Sequence, residues 1–243
     1  MIRKLILALL LTLPTIAVAI DLEGYYITAK GGVSKTLNTG TMDFVNGQPI
    51  LIVLENEDLG TGSAFGFSVG KYLNDSFRLE LEATKRTGYE FFAFAKEPIA
   101  ISFVSQKADI NSESIFINGF YDFQPFTMSN TAITPYLGGG VGISRNKMGR
   151  SVQYQFGVPD GVTFPEYTIN QFAYKLSAGT LVSLTEQLSL DVNYQYVNLG
   201  KFKQSTELYL DGVRRTDLDN QTSLNDGEIK SQELMVGLQY IFK

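Results

Sequence analysis

At 243 residues the chain can form one domain or one mid-sized barrel. It has no Cys and no His, which excludes a disulfide framework, a thiol nucleophile, Cys-ligated zinc and the commonest general base. Its net charge of −5, or −7 once Arg3 and Lys4 are removed, opposes a phosphate backbone and argues against nucleic acid as the main partner.

The first element is an export signal. Arg3 and Lys4 form a short positive region, and residues 5–18 are apolar except at Thr12, Pro14 and Thr15. Ala17-Val18-Ala19 is a small-x-small cleavage site, so residues 1–19 are predicted to be removed, leaving 20–243 as the mature protein. The apolar run is too short and too Pro-broken for a comfortable membrane helix, and no later stretch approaches the ~20 apolar residues such a helix needs.

Beyond the signal the pattern is period-2 alternation, repeated eight times. Tyr25, Ile27, Ala29 and Val33 face away from Tyr26, Thr28, Lys30 and Gly32. Phe65, Phe67 and Val69 oppose Gly66, Ser68 and Gly70. Phe77, Leu79, Leu81 and Ala83 alternate with Arg78, Glu80, Glu82 and Thr84. Ile115, Ile117, Tyr121 and Phe123 oppose Ser114, Asn118 and Asp122, although Phe116 and Phe120 fall on the polar side. Leu137, Val141 and Ile143 oppose a Gly-rich face at Gly138, Gly140, Gly142 and Ser144. Phe172, Tyr174, Leu176, Ala178 and Val182 oppose Ala173, Lys175, Ser177, Gly179 and Ser183. Leu188, Leu190, Val192, Tyr194 and Tyr196 oppose Ser189, Asp191, Asn193 and Gln195. Finally Leu234, Val236, Leu238, Tyr240 and Phe242 alternate with Glu233, Met235, Gly237 and Gln239.

The connections alternate in length. Residues 73–76, 124–134 and 185–187 are short, whereas 35–62, 87–111, 145–168 and 201–228 are long. Four such loops would be anomalous in a compact soluble domain. Short periplasmic turns and long outer loops are what an outer-membrane barrel shows. The predicted fold is therefore all-β: an eight-stranded antiparallel up-and-down transmembrane β-barrel. An unpaired charge in hydrocarbon costs several kcal/mol. Arg78, Glu80, Glu82, Lys175, Asp191 and Glu233 must then face the lumen, where they are expected to form a structural polar core. A narrow ion-conducting pore is the alternative. Tyr25, Tyr72, Phe77, Tyr121, Phe123, Tyr136, Tyr194, Tyr196, Tyr240 and Phe242 are expected in interfacial girdles. Periodicity alone also allows the inverted arrangement, a soluble carrier with its apolar face inside.

Two glycine runs invite a phosphate-loop reading and fail it. Gly138-Gly139-Gly140 lacks the G-x-G-x-x-G order, and in residues 31–36 Ser34 stands where a Walker loop needs Gly. No cofactor and no metal site are expected. The acidic residues around Asp211-Gly212, Asp217 and Asp219 lack EF-hand spacing, with Thr222 where Gly would be required.

The C-terminal alternation Leu234, Val236, Leu238, Tyr240, Phe242 resembles the assembly signal of outer-membrane barrels, departing only in the added Lys243. It implies the barrel-assembly machinery and outer-membrane lipid as partners. Residues 24–30, 134–142 and 172–179 resemble strands of the opacity-like and surface-antigen barrels, including rickettsial adhesins. That resemblance implies surface exposure and contact with a host or matrix macromolecule through the loops. It transfers no functional residue. Known barrel enzymes rely on His, which this chain lacks, so it is not expected to be an enzyme. The loops carry apolar runs at residues 49–54, 91–94 and 99–104. Those runs read either as exposed contact patches, as strands continued above the membrane, or as strands of a larger barrel. The second reading is preferred, and the third lacks clean alternation.

Overall fold

A computed structural model describes residues 22–39, 43–45, 48–50, 52–54, 58–95, 105–155, 158–218, 222–224 and 227–243. The expected signal segment and the apolar run at 99–104 lie outside the described residues. Eight long strands form the wall: β1 (Tyr25–Thr36), β2 (Thr61–Tyr72), β3 (Phe77–Ala95), β4 (Ser105–Asp122), β5 (Thr131–Met148), β6 (Tyr167–Ser183), β7 (Leu188–Phe202) and β8 (Gly227–Ile241). Each pairs antiparallel with its chain neighbour, and β1 pairs with β8 from Tyr26↔Ile241 to Thr36↔Ser231. The sheet therefore closes on itself. Closure satisfies the wall's backbone groups within the sheet and removes the edge that hydrocarbon would not tolerate.

The two arrangements left open by periodicity are now distinguished. Leu81, Ile117, Ile143 and Leu176 point outward with 56–64% of their surface exposed, whereas Glu82, Lys175 and Glu233 are at most 1% exposed. Apolar groups face out and charges face in, the polarity of a membrane barrel. The outward apolar band runs from Phe77 and Tyr121, paired across β3 and β4, to the charged pair Lys85↔Glu113. Leu81↔Ile117 lies midway. Arginine at Ile117 is thus expected to cost about 2–4 kcal/mol, and arginine at boundary residue Tyr121 about 0–1 kcal/mol. Folding titrations into lipid vesicles would check this; equal penalties would place the membrane elsewhere on the wall.

Short connections join the strands at the end that carries both termini. Between β2 and β3, Asn74 Oδ1 accepts hydrogen bonds from the backbone N–H of Ser76 and Phe77, each at 2.9 Å. Between β6 and β7, Thr185 Oγ1 accepts from Leu188 N at 3.0 Å. Such side-chain acceptors are why Asn and Thr occupy tight turns. Between β4 and β5, Phe126–Met128 folds back on Thr131–Ile133 through Ser129 and Asn130, both at positive φ.

The strands run further than the alternation predicts. β3 and β4 remain paired to Phe94↔Ser105, inside the expected loop 87–111. The expected loop at 145–168 is largely a hairpin, Ser151–Gln155 against Val158–Phe164, and its first strand pairs with β4 at Val152↔Lys107. In the fourth connection, Tyr209–Leu210 turns through Asp211-Gly212 onto Val213–Arg214 and joins that hairpin. Asp43–Val45, Gln48–Ile50 and Thr222–Leu224 form a separate three-stranded ladder, which links the first and fourth connections. In β3 and β7 the extension was missed because of a bulge in each. Register shifts between Arg86 and Tyr89, with Gly88 at φ 88, and between Asn198 and Lys201, with Gly200 at φ 72. One extra residue reverses which parity faces inward, so the alternation seems to stop.

Two of the expected girdle residues face the lumen instead. Tyr72 lies on the inward parity of β2, its ring 5.4 Å from that of Tyr26 and its hydroxyl donating to Gln239 Oε1 at 3.4 Å. Tyr136 is 3% exposed and donates to Asp191 Oδ1 at 2.6 Å. Each amphipathic ring has a polar partner inside that hydrocarbon cannot supply. Phe77, Tyr121 and Phe123 remain outside in consecutive edge-on contacts of 5.0 and 5.1 Å.

Candidate functional site

The lumen is filled in layers, and each layer follows from the inward parity of its strands. Nearest the short turns, Arg78 Nε donates to both oxygens of Asp122 at 3.1 Å. Its guanidinium lies 4.2 Å from the Phe120 ring centre and 4.6 Å from that of Tyr136. The aromatics on the polar side of their strands therefore flank a buried cation.

The next layer centres on Glu82. Its Oε2 accepts from Lys30 Nζ at 2.5 Å and Lys175 Nζ at 2.6 Å, and its Oε1 from Thr84 Oγ1 at 2.7 Å. Glu80 accepts from Asn118 Nδ2 at 3.1 Å and the Tyr26 hydroxyl at 3.2 Å. Above it, Glu233 takes Arg86 Nε at 2.6 Å and Arg86 Nη2 at 3.1 Å, with Ser34 and Gln195 donating at 2.7 and 2.6 Å. Removing these charges from water is costly, and multiple hydrogen bonds per carboxylate are what make the layers tolerable.

Towards the long connections the lumen turns apolar. Tyr89, Phe91, Ile110, Met148, Leu199 and Phe202 belong to one buried cluster drawn from six strands, β3 to β8. Phe91, from the apolar run at 91–94, is thus a core residue. Glycine opposite bulk allows this density. A Cβ at Gly138 would lie 2.1 Å from the Phe120 ring, and one at Gly179 would lie 2.6 Å from the Tyr136 ring. An eight-stranded barrel holds about enough room for its own side chains.

All six polar residues read from the sequence point into this interior, each at most 5% exposed. The structure joins Glu80 and Glu82 to Lys175 in the middle layer. It keeps Arg78, Asp191 and Glu233 apart from that centre, with Asp122, Tyr136 and Arg86 as their respective partners. Lys30, Arg86 and Asp122 were missing from the sequence-derived set. Their signal was present: Arg86 continues the inward parity of Arg78, Glu80 and Glu82, and Lys30 and Asp122 lie on polar strand faces.

On β8, Leu234, Val236, Leu238 and Tyr240 point outward, 37–57% exposed. Phe242 follows the strand, its ring 5.2 Å from that of Tyr240 and its N–H donating to Tyr25 O at 2.8 Å. Lys243 donates to Glu186 Oε2 at 2.8 Å, across the turn between β6 and β7, and this bond holds the Glu186 carboxyl below its ordinary pKa.

A closed barrel with a charged interior and an apolar exterior is an integral outer-membrane β-barrel. The chain belongs to the family described as outer membrane protein beta-barrel domain, whose model matches residues 5–242. It is an outer-membrane surface protein of a Gram-negative bacterium. It is 29% identical over 233 residues to Outer membrane protein PagN of Salmonella typhimurium, covering 90% of each chain. It is 26% identical over 192 residues to "Putative adhesin RC1281" of Rickettsia conorii, covering 77% of this chain and 71% of that one. The rickettsial resemblance carried by the strand motifs is thus found in a comparison that spans 77% of the chain. Among solved structures, Neisserial surface protein A aligns with a TM-score of 0.51 at 18% identity, over 90% of this chain and 98% of that one, a likeness of fold.

Proposed function

We propose that the four long connections bind a macromolecule of a host cell or its matrix, without catalysis, while the barrel anchors them. The observation that carries this reading is the division of the molecule into a filled stem and an outer head whose described strands pair across connections. The buried layers leave transport little space. Beyond them the third and fourth connections share a ladder, Val162↔Leu210 and Thr163↔Tyr209, over a buried cluster of Val162, Phe164 and Leu208. The printed description of the rickettsial relative supports the same reading by analogy.

The ladders dictate the test. Thr222↔Val45 and its neighbours join the first and fourth connections, so these should be shortened together. The barrel should still fold, since shortening a loop has a small entropic effect, and cells displaying it should lose attachment to host cells or matrix-coated surfaces. Unchanged attachment by the shortened protein, or steady single-channel conductance of the intact protein without attachment, would overturn the proposal.

The C-terminal pattern is proposed to be read by the barrel-assembly machinery, with Phe242 as its terminal aromatic and cleavage after Ala19 beforehand. Phe242→Ala should then reduce outer-membrane yield in cells far more than folding into purified lipid. Equal effects in both settings would make Phe242 a packing residue only.

A further inference from the structure

Among the described residues the lumen holds one more buried carboxylate than it holds cations. Lys30, Arg78, Arg86 and Lys175 are at most 8% exposed, and so are Glu80, Glu82, Asp122, Asp191 and Glu233. Arg78 takes Asp122 and Arg86 takes Glu233. Lys30 and Lys175 are held by Glu82, with Glu80 4.0 Å from Lys30. The surplus falls on Asp191. Its two hydrogen bonds come from neutral donors, the Tyr136 hydroxyl at 2.6 Å and Asn193 Nδ2 at 3.4 Å. Lys30 stands in the same row, across Gly237, but turns its ammonium to Glu82 at 2.5 Å. A buried carboxylate without a counter-charge is costly, so one belongs beside it.

The surroundings of Asp191 indicate what that charge is. Asn193 Oδ1, one inward position along β7, is buried and meets no hydrogen-bond donor of the described residues. The same holds for Ser177 Oγ on β6, Thr28 Oγ1 on β1 and Ser68 Oγ on β2. Thr28 and Ser68 share a row with Gln239 and Ser189, next to the row of Asp191 on its short-turn side. A proton on Asp191 would serve one of these oxygens. A cation that keeps part of its water serves the carboxylate and the neighbouring oxygens together. One carboxylate among neutral oxygens is poorer in charge than a calcium site, and suits a monovalent ion. The way in is short. A recess of about 480 Å³ at the short-turn end is lined by Tyr72, Thr134, Ser183, Ser189 and Gln239, and Asp191 lies one inward position beyond Ser189. Past it the ion-paired layers and the apolar cluster fill the lumen, so an ion that enters from the periplasm leaves the same way.

We propose that Asp191 and Asn193 hold a monovalent metal cation, sodium, taken up from the periplasm through this recess. The site is independent of the outer head and of any adhesive partner.

The test uses protein recovered from outer membranes and transferred to nanodiscs of neutral phosphatidylcholine in alkali-metal-free buffer. Sodium chloride is titrated, choline chloride holds the ionic strength constant, and broadening of the sodium NMR line is read. The unaltered protein should broaden the line saturably. Asp191→Asn, which keeps the shape and removes the charge, should abolish the broadening. Gln239→Lys should abolish it too with the carboxylate intact, because a lysine there reaches Asp191 diagonally across β7 and β8 and supplies the cation itself. Glu113→Gln, on the outer wall, should leave it unchanged. Each variant should keep heat-modifiable migration on gels, the sign of a closed barrel; if Asp191→Asn does not close, Gln239→Lys decides. A line left sharp by the unaltered protein would overturn the proposal, and an infrared band of a protonated carboxyl, removed by Asp191→Asn, would then make a proton the counter-charge. Broadening retained by the Asp191 and Gln239 variants would place sodium elsewhere and equally overturn it.

Discussion

Glu82→Ala should destabilise the folded barrel by about 3–5 kcal/mol, the cost of leaving buried charge without its partner. The Glu82 carboxylate is fully buried between two ammonium groups, Lys30 at 2.5 Å and Lys175 at 2.6 Å. Without it the two cations face each other in a buried space, with Glu80, 4.0 Å from Lys30, as the remaining ion-pair partner among the described residues. Replacing the whole group, Lys30→Met with Glu82→Leu and Lys175→Met, should cost far less, because no charge is then left unmatched. Urea titrations of folding into lipid vesicles measure both. A loss below about 1 kcal/mol for Glu82→Ala would mean that water or another group compensates the cations.

Gly142→Ala is expected to be nearly as severe for a different reason. A Cβ at Gly142 would lie 2.0 Å from the carbonyl oxygen of Ile115 and 2.9 Å from the Cα of Phe116. Both are backbone atoms of β4 in the ladder with β5, so relief requires the two strands to part. A loss of about 3 kcal/mol, the upper end for overpacking, is expected. The control is Gly139→Ala in the same Gly run. There a Cβ would meet Lys175 O at 3.2 Å and Leu176 Cδ2 at 3.3 Å, contacts a slight shift relieves. Its loss should stay below about 1 kcal/mol. Similar losses at the two positions, read from the fraction of heat-modifiable barrel after refolding, would remove the steric account.

Much of the wall was legible because strand parity is a local property. Arg78, Glu80 and Glu82 against Leu79, Leu81 and Ala83 need no knowledge of the rest of the chain, since successive side chains on a strand must point oppositely. Parity failed where a bulge reset it. Beyond Gly88 the inward residues are Tyr89 and Phe91, odd-numbered after a run of even ones, so the extension of β3 read as loop. It failed differently at Tyr72 and Tyr136. An aromatic near a strand end suits the interface as well as the lumen, and only the neighbouring Gln239 and Asp191 decide between them.

Strand number, termini on the short-turn side and six charges that could not face lipid were determined by the sequence alone, because alternation, turn residues and the cost of charge in hydrocarbon act within a few residues or on each residue singly. Which cation meets which carboxylate was decided by tertiary structure: Lys30 and Lys175 reach Glu82 from 52 and 93 residues away, and Arg86 reaches Glu233 across 147. So was the lack of a cation beside Asp191 among the described residues. Both depend on how far each strand slides past its neighbour before the barrel closes, and that stagger is set by the closed sheet as a whole, not by any one segment.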